Sequence, residues 1–114
     1  MLNLYGIKNC DTVKKACRWL EDHGIEYQFH DFRQDGLDKK QLSGWVEQLG
    51  WEAVVNKRST TWRNLSDKDK EIKTNSQAVK LLAANPTLIK RPVLEKNKIL
   101  LIGFKESDYK KYSF

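Results

Sequence analysis

An α/β fold on a mixed four-stranded sheet is predicted for this chain by three observations. The apolar residues of the first half alternate between a period of two and a period near 3.6 in the order β-α-β-α, a helical stretch without strand pattern follows, and the last quarter reads β-β-α. Helical crossovers join parallel strands and a tight turn joins antiparallel ones, so this order gives a mixed sheet with helices on both faces. A length of 114 residues suits one core. Residues 1–114 are therefore read as a single domain with a helical insertion at about 51–87.

The elements follow in order. Leu2 and Leu4 alternate with Asn3 before Tyr5-Gly6, a short strand reaching a break. Asn9-Cys10-Asp11-Thr12 clusters residues that cap helices, and Val13, Ala16, Cys17 and Leu20 then fall at i, i+3, i+4 and i+7, an amphipathic helix ending near Gly24. Tyr27, Phe29 and Asp31 alternate with Gln28 and His30 in a second strand, with His30-Asp31 read as strand surface. Asp38 is placed to cap a helix carrying Leu42, Trp45, Val46 and Leu49 before Gly50. In the insertion Ser66 is expected to cap a turn of helix and Ser76 a helix bearing Ala78, Val79, Leu81 and Leu82. Val93-Leu94, a polar turn over 95–98 and the run Ile99 to Ile102 predict a hairpin, after which Ser107 or Asp108 starts a last short helix.

Composition narrows the function classes. Hydrophobic residues at 39% with four Trp describe a globular chain, the longest aliphatic runs are far shorter than the roughly 20 residues a membrane span needs, and the N-terminus lacks an export pattern. The expectation is a soluble, cytoplasmic protein with no membrane partner. Two cysteines make no disulfide scaffold, so in a reducing compartment any cysteine chemistry is catalytic or redox-linked. The charge is +6, and residues 86–114 hold 7 basic and 3 acidic side chains, which suits an anionic partner or a solvated lysine-rich face. No helix shows a basic, base-reading face, so direct nucleic-acid binding is not expected.

Cys10 stands between a strand and the first turn of a helix, where unpaired N–H groups and the helix dipole favour an anion. Lys8, Lys14 and Lys15 lower a thiol pKa there and Asp11 raises it. The residue reads as a nucleophilic thiolate, against an inert small residue at a helix start. Cys17 lies seven residues on, roughly 10 Å along a helix and beyond disulfide reach, and on the apolar stripe it reads as a buried structural cysteine. Arg91-Pro92 precedes the third strand: such a proline is often cis and exposes backbone to an extended thiol peptide, and the arginine offers a fork for an oxyanion. Asn56-Lys57-Arg58-Ser59-Thr60-Thr61-Trp62-Arg63 reads equally as an anion-binding loop or a basic helix start. His23 and His30 lack ligand spacing to the cysteines, so no metal is expected.

The element order is the thioredoxin-like plan, and four segments together resemble the arsenate reductase (ArsC) family, in particular its YffB-like branch, with the Spx and MgsR regulators as cousins. They are residues 5–16 around Cys10, residues 56–63, Ile89-Lys90-Arg91-Pro92-Val93 and Gly103-Phe104-Lys105. The resemblance implies a glutathione-dependent thiol or oxyanion reductase with no bound cofactor, glutathione as co-substrate and glutaredoxin as a candidate recycling partner. Cys10 matches the nucleophile and Arg91 the arginine before the family's cis proline. Lys8, Asn9, Thr12, Asn56, Lys57, Arg58, Arg91 and Pro92 form the implied substrate and glutathione site, Thr12 capping the helix aimed at sulfur. The central-loop arginine of the reductases falls on Asn56, and the last hairpin has no arginine at 98–102. Those departures count against arsenate itself as substrate. The alternative implied is an Spx-like regulator that binds the RNA polymerase alpha subunit, although Val13 stands where a Cys-x-x-Cys switch would need a second thiol.

Overall fold

The computed structural model describes residues 1–112. In chain order the elements are β1 (Leu2–Gly6), α1 (Asp11–Asp22), β2 (Tyr27–Asp31), α2 (Lys39–Leu49), α3 (Trp51–Val54), α4 (Thr60–Arg63), α5 (Asp67–Lys70), α6 (Asn75–Ala84), a 3-10 turn at Pro86–Leu88, β3 (Val93–Lys96), β4 (Ile99–Ile102) and α7 (Glu106–Lys110). The four strands lie in the order β2-β1-β3-β4, with β1 parallel to β2 and antiparallel to β3, and β3 antiparallel to β4. This is the mixed four-stranded α/β sheet that the sequence predicts. The chain forms two compact units, one from residues 1–36 with 91 onward, the other from 37–90.

The first unit contains the whole sheet. Leu2 and Leu4 of β1, Leu94 of β3, Ala16, Trp19 and Leu20 of α1, and Tyr109 of α7 form its buried core. The predicted stripe of α1 holds at Val13, Ala16 and Leu20, while Trp19 is also buried and Cys17 is half-buried. Trp19 enters the core through its ring, which meets Tyr109 edge-on at 5.4 Å and stacks on His23 at 3.9 Å. Tyr109 in turn meets Phe104 edge-on at 4.9 Å. Such aromatic pairs add about 0.5 to 1.5 kcal/mol each beyond area burial. They account for the docking of α7, a five-residue helix that starts after Lys105 with no side-chain cap, rather than at Ser107 or Asp108.

In the second unit α2 packs against α3 and α6, burying Leu42, Trp45 and Val46 of α2 and Ala78 and Leu82 of α6. Asp38 caps α2 as expected, its carboxylate accepting from the Lys40 N–H at 2.9 Å, and Ser66 caps α5. The cap of α6 is Thr74, not Ser76: its hydroxyl accepts from the Gln77 N–H, so the helix begins two residues earlier than Ser76 allows.

Two contacts in the first unit fix the turn between β1 and α1. At Gly6 a Cβ would lie 2.8 Å from a Val13 methyl, so only glycine lets the strand end approach the first turn of the helix this closely. Asp31, at the end of β2, is 4% exposed and accepts from the N–H groups of Arg33 (2.8 Å), Lys8 (3.2 Å) and Gln34 (3.3 Å). Burial alone would push its carboxyl up, but those donors and the Lys8 charge outweigh it and hold the group below its ordinary value. The strand-surface reading is thereby corrected for Asp31; His30 is half-buried, stacking on its cross-strand partner Tyr5 at 4.6 Å and bonding the Asn3 side chain at 2.9 Å.

Asp31→Ala leaves three part-buried N–H donors without their acceptor and should lower the unfolding free energy by about 1 to 3 kcal/mol in urea denaturation near neutral pH. A carboxyl titrating lower in the folded state contributes stability that is complete above its unfolded value of about 3.9 and is lost as pH falls through the lower folded value. The urea midpoint should therefore drop on acidification below about pH 4 by more in the wild type than in Asp31→Asn; parallel losses would refute the assignment. Gly6→Ala should cost about 1 to 3 kcal/mol, since Val13 is stiff at χ1 and cannot swing aside.

Candidate functional site

Cys10 is the N-cap residue of α1, with extended backbone (φ −123, ψ 122), and its carbonyl accepts the first helical bond from the Lys14 N–H at 3.0 Å. Its half-buried thiol makes no conventional capping hydrogen bond, as expected of a weak acceptor. A thiolate at the same place would be a strong acceptor. Burial pushes the Cys10 pKa up, but the Val13 N–H, the Arg91 guanidinium and the Thr12 N–H act the other way and prevail, leaving the thiol below its ordinary value. A helix start and one arginine thus converge on a single sulfur.

Lys8, Asn9, Cys10, Thr12, Arg91 and Pro92 all belong to the first unit, where Arg91 and the Thr12 N–H lie at the Cys10 sulfur. Lys8 and Asn9 are exposed, with the Lys8 backbone anchored on Asp31. Thr12, expected to cap the helix, lies inside α1 with Cys10 as the N-cap, so what it offers the sulfur is its backbone N–H rather than its hydroxyl. Arg91 is half-buried and followed by a cis bond to Pro92, which is buried. The Pro92 carbonyl already accepts from the Gly103 N–H at 2.8 Å.

Asn56, Lys57 and Arg58 belong to the second unit. Asn56 organises its own loop: its N–H donates to the Leu88 carbonyl (2.8 Å), its carbonyl accepts from the Ser59 hydroxyl (2.8 Å), and its side-chain oxygen accepts from the Arg58 N–H (3.1 Å). The Lys57 ammonium lies 5.4 Å from the Trp51 ring and 5.7 Å from the Trp62 ring, within cation–π range of both. Arg58 is exposed.

Cys17 departs from the expectation of a buried structural cysteine. It packs on the core yet is half-exposed, and lines a groove of about 390 Å³ beside α1 with Lys14, Arg18, Glu21, Tyr27 and Phe29 among its other walls. Burial and the Glu21 charge push its thiol up against the hydrogen bond with Tyr27, so the two thiols of α1 are biased in opposite directions. Sequence reasoning missed Asp31, which anchors the Lys8 backbone, because alternation marks it as a strand residue without telling its surroundings. The unpaired N–H groups expected at Cys10 are those of Thr12 and Val13. Among the described residues no cluster of His, Cys, Asp and Glu could hold a metal ion, and no helix is long and apolar enough to cross a membrane.

The ArsC family model matches residues 5–112. An uncharacterized protein of Haemophilus influenzae is 54% identical over 109 residues, 96% of each chain. Among solved structures, a YffB protein is 42% identical with a TM-score of 0.93 over 97% of each chain. An arsenate reductase (ArsC) related protein from Brucella melitensis is 44% identical with a TM-score of 0.78, covering 97% of this chain and 92% of that one. The global transcriptional regulator Spx of Streptococcus pyogenes is 29% identical over 98% of this chain and 84% of its own. Arsenate reductase-related proteins and Spx regulators are thus both relatives, and both similarities run through the segment that carries Cys10. With nearly its whole length matched, the chain belongs to the ArsC family.

Proposed function

We propose that this chain is a single-cysteine thiol reductase that works with glutathione, Cys10 being its nucleophile. The observation that carries the reading is the Cys10 sulfur at the start of α1, facing the Val13 and Thr12 N–H groups and the Arg91 guanidinium. With a glutathione mixed disulfide as substrate, the Cys10 thiolate attacks the glutathione sulfur. The old S–S bond breaks and the substrate leaves as a thiolate that takes up a proton. A glutathione thiolate then attacks the glutathione sulfur of the Cys10 adduct, forming glutathione disulfide and returning Cys10 as thiolate; a glutaredoxin thiol attacking the same sulfur would leave as its own mixed disulfide with glutathione. The substrate sulfur is reduced to the thiol and the incoming thiol sulfur is oxidised to the disulfide level, while the transferred glutathione sulfur stays at that level throughout. Arg91 and Lys8 would meet the carboxylates of the tripeptide.

A second reading, an Spx-like regulator that binds the RNA polymerase alpha subunit without turnover, is favoured by the match to Spx along 98% of the chain. It lacks a switching disulfide here, because the third residue after Cys10 is Val13. Alkylation by iodoacetamide across pH, read separately at Cys10 and Cys17 by peptide mass spectrometry, separates the readings. A Cys10 midpoint below the roughly 8.5 of a free thiol, with glutathione disulfide adding at Cys10, supports the reductase; an ordinary midpoint and no adduct shift the weight to the regulator.

Cys10→Ser should abolish the adduct and thiol turnover while changing the unfolding free energy by no more than about 0.5 kcal/mol. Arg91→Ala should slow Cys10 alkylation several-fold at neutral pH, because a higher thiol pKa leaves less thiolate there. The rates of variant and wild type should converge at alkaline pH, where both are fully ionised; a uniform slowing at every pH would point to lost access instead.

A further inference from the structure

The outer edge of β2 carries a second binding feature that the chemistry at Cys10 does not use. Among the described residues β2 is a terminal strand of the sheet, paired with β1 alone. The Phe32 N–H reaches inward to the Gly6 carbonyl at 2.9 Å, and strand N–H groups alternate in direction, so those of Tyr27, Phe29 and Asp31 point outward. Asp31 is blocked: its N–H donates to the Asp35 carboxylate at 2.9 Å. Tyr27 and Phe29 keep their outward groups for another strand, along an edge that lacks the proline or bulge with which such edges are usually blunted.

The groove beside this edge has a matching chemistry. Phe29, Tyr27 and Cys17 give it an apolar floor, and Lys14 and Arg18, one turn apart on α1, give it a cationic rim. Neither cation makes an ion pair among the described residues. Glu21, the acid of the rim, accepts from the Tyr27 hydroxyl at 3.2 Å. An isologous pairing of two such edges would set these cations against each other, which disfavours a second copy of the chain as occupant.

We infer that the outer edge of β2 and the groove beside α1 bind an extended acidic peptide segment of a partner protein by strand addition. Main-chain bonds to Tyr27 and Phe29 would hold the segment, its apolar side chains would enter the groove, and its carboxylates would meet Lys14 and Arg18. The site is independent of Cys10 nucleophilicity.

The test uses the full chain, isotope-labelled for NMR, with the blocked peptide Asp-Glu-Phe-Glu-Leu-Asp, a version with lysine at each acidic position, and a version N-methylated at alternate amides. The acidic peptide should protect the Tyr27 and Phe29 amides from hydrogen exchange and slow alkylation of Cys17, in Cys10→Ser as in the wild type. Lys14→Glu with Arg18→Glu should weaken binding about tenfold or more, as should about 0.5 M salt, with Arg18→Ala as a milder variant should the pair perturb folding. The lysine and N-methylated peptides should fail to bind. No binding at millimolar peptide, equal binding of the N-methylated version, or protection of the same amides by self-association of the chain without peptide would overturn the proposal.

Discussion

A buried carboxylate has to be supplied with donors, and the way Asp31 is supplied shapes the ground on which Cys10 stands. Its oxygens accept from Lys8, in the loop after β1, and from Arg33 and Gln34, in the loop after β2. One ionised side chain therefore ties the ends of two parallel neighbours together at the place where the chain leaves β1 for α1. The Phe32 N–H to the Gly6 carbonyl continues the same closure, and the close approach of Gly6 to Val13 seats the helix against it. The Val13 N–H faces the sulfur because it belongs to the first turn of the helix that Cys10 begins, and the Val13 side chain packs close on Gly6; packing and electrostatics at the thiol thus meet in one short stretch.

Much of this frame was legible from periodicity. The alternation of Leu2 and Leu4, the helical spacing of Val13, Ala16 and Leu20, the Asp38 cap and the closing hairpin all follow from side-chain pattern acting locally, as does a cysteine at a strand-to-helix turn. What escaped depends on residues distant in sequence. Trp19 is core because its ring finds Tyr109, a partner no local window contains. Asp31 is buried with the help of the Lys8 N–H from the loop after β1, and His30 is half-buried on the Tyr5 ring. Thr74 rather than Ser76 caps α6 because either hydroxyl suits a helix start and only the backbone path chooses between them. Residues 56–63 read equally as an anion-binding loop or a basic helix start; Ser59 caps a short helix there, and the Lys57 ammonium sits near two indole rings of its own unit.

The relatives of this chain divide between reductase-related proteins and a transcriptional regulator while sharing one fold, so the sheet itself does not decide between the two. The discriminating chemistry sits in a few positions: a thiol at 10, an aliphatic residue at 13, an arginine at 91. An arginine beside a helix N-terminus favours a thiolate whatever the protein does with it. A valine at 13 removes the neighbour with which that thiolate could close a ring.

That valine also sets a law of mass action. A pair of thiols closing on each other is oxidised according to the disulfide concentration divided by the square of the free thiol concentration, so dilution of a buffer at fixed ratio changes its state. A solitary sulfur that exchanges with a small disulfide exchanges one bond for one bond, and its occupancy follows the simple ratio of oxidised to reduced thiol. Cys10, with Cys17 two helical turns away and both thiols free, is of the second kind. In the proposed exchange its occupancy would therefore follow the ratio of oxidised to reduced thiol and be blind to the size of the pool, and so would not track the pool's reduction potential as a thiol pair does.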